Sequence, residues 1–166
     1  MKNLISKSML VLTAMAFTGC SSKASSSYQS QESSSSSVHL SSSINEEKKV
    51  YIYVNGEILV LLLTENTSAE ALYGILSTRD IDVDMNDYGG FEKVGDLGMN
   101  LVTNDEYIST VSGDVILYQG RNLVIYYGKN SYNFTRLGRI EKNDQAYLKN
   151  ILGPGEVKIR LSSVKN

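Results

Sequence analysis

The chain of 166 residues has one cysteine, one histidine, one proline and no tryptophan. Each shortage removes a class of explanation. A single cysteine closes no disulfide within the chain and builds no thiolate metal centre. The one histidine, His39, lies in a serine tract, where a lone imidazole is solvated, and none follows it. Hydrolase triads use an imidazole base beside a nucleophile, and the body of the chain has no such base to offer. No apolar run reaches the roughly 20 residues that a membrane-spanning helix needs. "ILVLLL" at 58–63 is too short and is rich in strand-forming residues, so it belongs to a core. Basic excess is missing as well. Loss of Lys2 and Lys7 with the leader described next leaves a net charge of −4, which argues against nucleic acid as a partner.

What is present begins with a leader. Lys2 and Lys7 supply a positive start, Met9 to Phe17 forms a short apolar core, and small Thr18 and Gly19 precede Cys20. Residues 1–19 read as a signal peptide. Phe17-Thr18-Gly19-Cys20 resembles the bacterial lipobox, with Phe17 where leucine is commoner. The resemblance implies that Cys20 is lipidated and becomes the first residue of the mature chain. Two acyl chains on one sulfur hold a protein stably on a bilayer, where a single chain holds marginally. The expected location is the extracytoplasmic face of the cell membrane, with the lipid bilayer as a partner through Cys20.

Residues 20–48 carry the lipidated cysteine and a serine-rich linker. Fourteen of the 23 residues from 21 to 43 are serine. Such a segment has too little apolar surface to offset the entropy of ordering it. Coil statistics give a tether of this length a reach of roughly 25–30 Å. Residues 49–163 form one domain, and 164–166 a short tail.

Strand signals dominate the domain. "KVYIYVNGEILVLLL" reads as a hairpin about Asn55-Gly56, a pair that accepts positive φ at both turn positions. The second run is apolar enough for a strand buried on both faces. Thr67 with Glu70 has the spacing of a helix capping box. Ala69, Leu72, Tyr73 and Leu76 then share one face of a short helix. "DIDVDM" alternates, placing Ile81, Val83 and Met85 inward and three aspartates outward. "DYGGFEKVGDLG" reads as a loop or bent strand edge. "GDVILYQGRNLVIYYGK" gives a second hairpin, "RLGRIEK" a strand, and Asn143 the cap of a helix over 144–152 that ends at Gly153-Pro154-Gly155. "EVKIRL" is the closing strand. About eight strands with short turns are best served by a closed barrel, which leaves no edges.

The order of these motifs resembles the small bacterial cyclophilin-like domains. The resemblance rests on "NGEILVLLLTENTSAEALYGIL", "YGGFEKVGDL", "SGDVILYQGRNLVIYYG" and "RLGRIE" and covers about residues 49–162. It implies a mainly β fold, a closed eight-stranded antiparallel barrel with two short capping helices. Cyclophilins proper are prolyl cis/trans isomerases, working against a barrier of about 18–20 kcal/mol. Their catalytic arginine lies in a Phe-His-Arg stretch that this chain lacks, so no arginine carries over by motif. Arg139, in "RLGRIE", is the one to test first.

Other chemistries are weaker still. The aspartates of "DIDVD" do not form a calcium loop, because Met85 stands where glycine is needed and Phe91 where glutamate is needed. Neither a metal nor a cofactor is expected. The suggestive loop is "YGGFEKVG", where Gly89 and Gly90 permit close approach, Phe91 offers an apolar tip, and Glu92 and Lys93 offer charge. Its bland alternative is a glycine bulge with a surface ion pair. The candidate groove consists of Tyr88, Phe91, Glu92, Lys93, Tyr118, Tyr126 and Arg139. Successive Tyr126 and Tyr127 must face opposite sides of their strand, so at most one enters it. The expected function is a lipid-anchored, non-catalytic module that binds a peptide or small ligand. An extracytoplasmic prolyl isomerase with a non-standard site is the alternative.

Overall fold

The computed structural model describes residues 47–166. The expected leader, Cys20, His39 and nearly all of the linker lie outside the described residues. The elements follow in the order β1 (Lys49–Val54), β2 (Glu57–Leu63), α1 (Thr67–Leu76), β3 (Ile81–Tyr88), β4 (Glu92–Asp96), β5 (Glu106–Ser109), β6 (Asp114–Tyr118), β7 (Asn122–Tyr126), β8 (Ser131–Ile140), α2 (Gln145–Leu152) and β9 (Glu156–Ser162). Strands pair antiparallel in the order β2-β1-β9-β3-β4-β7-β6-β8, and β2 also pairs with β8. Eight strands therefore close into a barrel. β5 stands outside the ring, against the first half of β8. That extra strand is short, polar and largely exposed, so no alternation marks it in the sequence.

Alternation fills the barrel. Val50, Ile52, Leu59, Leu61, Val83, Met85, Val115, Leu117, Ile125, Ile159 and Leu161 point inward and are buried. Leu72 and Leu76 of α1 and Leu148, Ile151 and Leu152 of α2 join the same core. On the outside of β3 the aspartates meet cations across the strand pair. Asp82 binds Arg160 at 2.7 Å and Asp84 binds Lys158 at 3.2 Å, both from β9. The hairpin turn is as expected, with φ of 48° at Asn55 and 81° at Gly56.

Five readings need correction. The α1 cap is Asn66, not Thr67; its side chain accepts from the Ala69 N–H at 2.8 Å. Its amide also donates to the Arg136 carbonyl, so the cap ties α1 to β8. Tyr73 is only partly buried, at the edge of the α1 face. For α2 the cap is Asp144 rather than Asn143, because the helix starts one residue later and the Asp144 carboxylate reaches the Tyr147 N–H. β2 is buried on one face only: Leu59 and Leu61 are enclosed while Ile58, Val60 and Leu62 stay partly exposed, no second layer covering them. Finally, "EKVGD" is not a loop. It is β4, a full barrel strand between β3 and β7, and only Gly89 and Gly90, both at positive φ, form the turn before it.

Closure depends on a glycine. β2 and β8 meet through Leu61–Ile140, Leu62–Arg139 and Leu63–Gly138. A Cβ on Gly138 would collide with the Leu62 carbonyl oxygen, so no larger residue permits this approach. Nearby, fully buried Asp114 on β6 accepts from Arg139 Nε at 2.8 Å, Arg136 Nη2 at 3.3 Å and the Val111 N–H at 2.9 Å. This clamp sits beside the register shift between Val115 and Ile116 in the β6–β8 ladder.

Candidate functional site

The outer face of β4, β7, β6 and β8 carries a second apolar cluster, separate from the barrel core. Ile116, Val124, Tyr126 and Phe134 are buried there, with Phe91, Val94, Ile108 and Tyr118 packed against them. A charged or polar outer face would be the ordinary solution for a barrel wall. Here the residues that alternate outward are aromatic or aliphatic. Tyr126–Phe134 ring centroids lie 5.8 Å apart, Tyr118–Phe134 6.1 Å and Tyr132–Phe134 5.7 Å. Phe91 stacks on Tyr126 at 6.4 Å, and Tyr88 meets Phe91 edge-on at 6.2 Å. These separations are those of favourable aromatic pairs.

The rings border a groove of about 450 Å³ lined by Tyr88, Glu92, Val94, Tyr118, Val124, Tyr126, Asn130, Tyr132 and Phe134. Glu92 is its one charged lining residue. β4 places it directly opposite Tyr126 on β7, so carboxyl and phenol are neighbours on one face. The Glu92 residue is only 7 % exposed, and its Oε2 has no hydrogen-bond partner. Burial pushes the carboxyl above its usual value, and a hydrogen bond from Tyr126 partly offsets that. Burial, and then the bond to Glu92, pushes the Tyr126 phenol up. Asn130 Nδ2 donates to the Tyr126 hydroxyl at 3.3 Å.

The neighbouring residues serve the other side of the wall. Lys93 is fully buried and donates from Nζ to the Gly155 carbonyl at 2.5 Å; burial lowers its pKa and Asp87 opposes that. Tyr127 bonds the Asp87 carboxylate and the Glu92 main-chain carbonyl. The Tyr127 bond is the main reason that Asp87 titrates below its usual value. So Glu92 and Lys93 are not a surface ion pair: consecutive strand residues face opposite sides, and both are buried.

The candidate residues thus divide. Tyr88, Glu92, Tyr118 and Tyr126 line the groove together, and Phe91 packs behind Tyr126. Lys93 belongs to the opposite face, and Arg139 to the Asp114 clamp. Sequence reasoning missed Val94, Val124, Asn130, Tyr132 and Phe134. Tyr132 and Phe134 were findable, since "SYNF" places two rings two residues apart just before "RLGRI", on one face of the same strand. Asn130 carries no such signal. Among the described residues, no group of three or more His, Cys, Asp or Glu is placed to hold a metal ion.

Comparison with known proteins matches residues 52–162 to the cyclophilin-like family. The chain belongs to that family. Its cyclophilin-like domain also resembles the solution structure of a hypothetical protein from Archaeoglobus fulgidus. The two share 14% identity with a TM-score of 0.53, over 71% of this chain and 95% of that one. At such identity the likeness concerns the fold alone. No curated protein matches the chain. Among the described residues of this cyclophilin-like domain, no helix is long and apolar enough to cross a membrane.

Proposed function

We propose that the protein is a non-catalytic binding module, held by lipidated Cys20 on the extracytoplasmic face of the cell membrane, whose cyclophilin-like groove takes a peptide or small ligand. The observation that carries the binding reading is the aromatic groove with a buried, half-satisfied carboxyl. A buried acceptor without a partner costs about 1–3 kcal/mol, and a ligand that supplies a donor recovers it. A volume of about 450 Å³ suits a small-molecule or side-chain pocket. The lipobox-like run and the serine tract support the anchor.

Two experiments test the two halves. A thermal-shift screen of the full chain against peptides and small ligands should yield a stabilising binder whose effect disappears in Phe134→Ala. No shift across a broad panel removes the binding reading. Cys20→Ala should move the protein from the membrane to the soluble fraction, and retention on the membrane removes the anchor. Proline-peptide isomerisation should proceed at the buffer rate; acceleration by the wild type would sink the non-catalytic reading.

A further inference from the structure

We propose that the ligand of this groove presents a primary alkylammonium group, with its nitrogen on Glu92 and its carbon chain against the rings. The inference rests on the binding reading above and adds the chemistry of what is bound. Three features of the groove select it.

The first is charge. Glu92 lines the groove and neither Lys nor Arg does. The faces of Tyr88, Tyr118, Tyr126, Tyr132 and Phe134 present negative quadrupoles, which attract a cation and repel an anion. Opposite Phe134 on β5 stands Glu106, an exposed carboxylate on the same face.

The second is donor geometry. Oε2 of Glu92 is buried and unpartnered, and in the ionised form that a cation favours it accepts only, so a cationic ligand must bring an N–H. A quaternary ammonium brings none. A guanidinium fork is built to engage both carboxylate oxygens, and the Tyr126 phenol stands directly across from this carboxyl on the neighbouring strand. A primary ammonium offers a single compact nitrogen with three donors, one for Oε2 and the others for the surrounding phenols.

The third is the cost of burying Glu92. Burial holds the Glu92 carboxyl towards its protonated form. An arriving ammonium favours the ionised carboxyl, so binding should release a proton in the pH range where Glu92 is still partly protonated, and weaken as pH falls through its raised pKa. The groups facing Glu92 are the phenols of Tyr88, Tyr118, Tyr126 and Tyr132, with Glu106 farther along the same face from β5. Lys93, Asp87 and Tyr127 lie on the opposite side of the wall.

Two sources of the group exist, a free amine and a lysine side chain, and two probes represent them: n-butylammonium and Nα-acetyl-lysine amide. The neutral control is the lysine compound acetylated at Nε, and the anionic control is butyrate. Each is titrated calorimetrically into the full chain, wild type, Glu92→Gln and Phe134→Ala. At least one amine should bind about ten-fold tighter than the acetylated control, with butyrate silent. Glu92→Gln should cancel that preference, and Phe134→Ala should weaken the amine. Titration in two buffers of different ionisation heat should show proton release in the wild type, a readout that needs no variant. Equal binding of the acetylated compound, or an amine affinity indifferent to Glu92→Gln, overturns the ammonium assignment and leaves the groove reading intact. If amines stay silent while the ligand screen finds a groove binder of other chemistry, the assignment fails alone. Silence in both experiments removes the two together.

Discussion

Glu92 makes the groove detectable without any ligand. Its folded-state pKa is raised, so the folded chain holds the proton more tightly than the unfolded chain does. The stability this contributes is complete below the unfolded value and is lost as pH rises through the folded one. Glu92→Gln should therefore flatten the decline in stability on the alkaline side of the ordinary glutamate range, and equal or exceed the wild type at neutral pH. Urea midpoints taken across that range test it, and a wild-type slope that survives the change refutes the burial argument. Asp82, Asp87 and Asp96 have lowered values, so their contributions fade only on further acidification and lie outside that window. Asp114 is a different case: enclosed, with two guanidiniums and an amide on it. Asp114→Ala removes the acceptor shared by Arg136, Arg139 and the Val111 N–H and should cost about 2 kcal/mol, read as a lowered urea midpoint. Arg139, the arginine put first for testing in the sequence, is occupied in this clamp.

At the scale of elements, the sequence was most legible where alternation or turn chemistry is local. The Asn55-Gly56 hairpin, the inward Ile81, Val83 and Met85, and the "VILYQGRNLVIY" hairpin all follow from period two and a short glycine-bearing turn, of two residues in the first hairpin and three in the second. β4 was hidden because two glycines and two adjacent charges mimic a loop. Its register against β3 and β7 is decided by partners far away in the chain. Helix caps were misplaced by one residue because Asn66, Thr67, Asn143 and Asp144 are all competent caps, and tertiary contacts choose among them. The β2–β8 seam is also non-local. Gly138→Ala would drive a methyl into the Leu62 carbonyl and should destabilise by about 3 kcal/mol. Amide exchange should rise first at Thr64 and Glu141, whose N–H groups bond the Leu137 and Val60 carbonyls across the seam, and an unchanged urea midpoint would show that the seam yields without cost.

For the whole molecule, the barrel class was legible because short strands with frequent turns leave few alternatives. The groove was legible only in part, because its floor is assembled from four strands spread between Glu92 and Phe134. The same dispersal governs stability. β9 stands between β1 and β3, so a chain ended at Gly155 loses the partner of both. It should show no cooperative urea transition, and a sharp one would contradict the closed topology. β1 and β2 also leave the ribosome first, while the outer neighbours they need, β9 and β8, emerge late. The opening hairpin must wait with both flanks bare, which makes folding slow and dependent on distant contacts. A polypeptide that cannot seal its barrel until β9 has been synthesised stays loose through most of the translation of that domain.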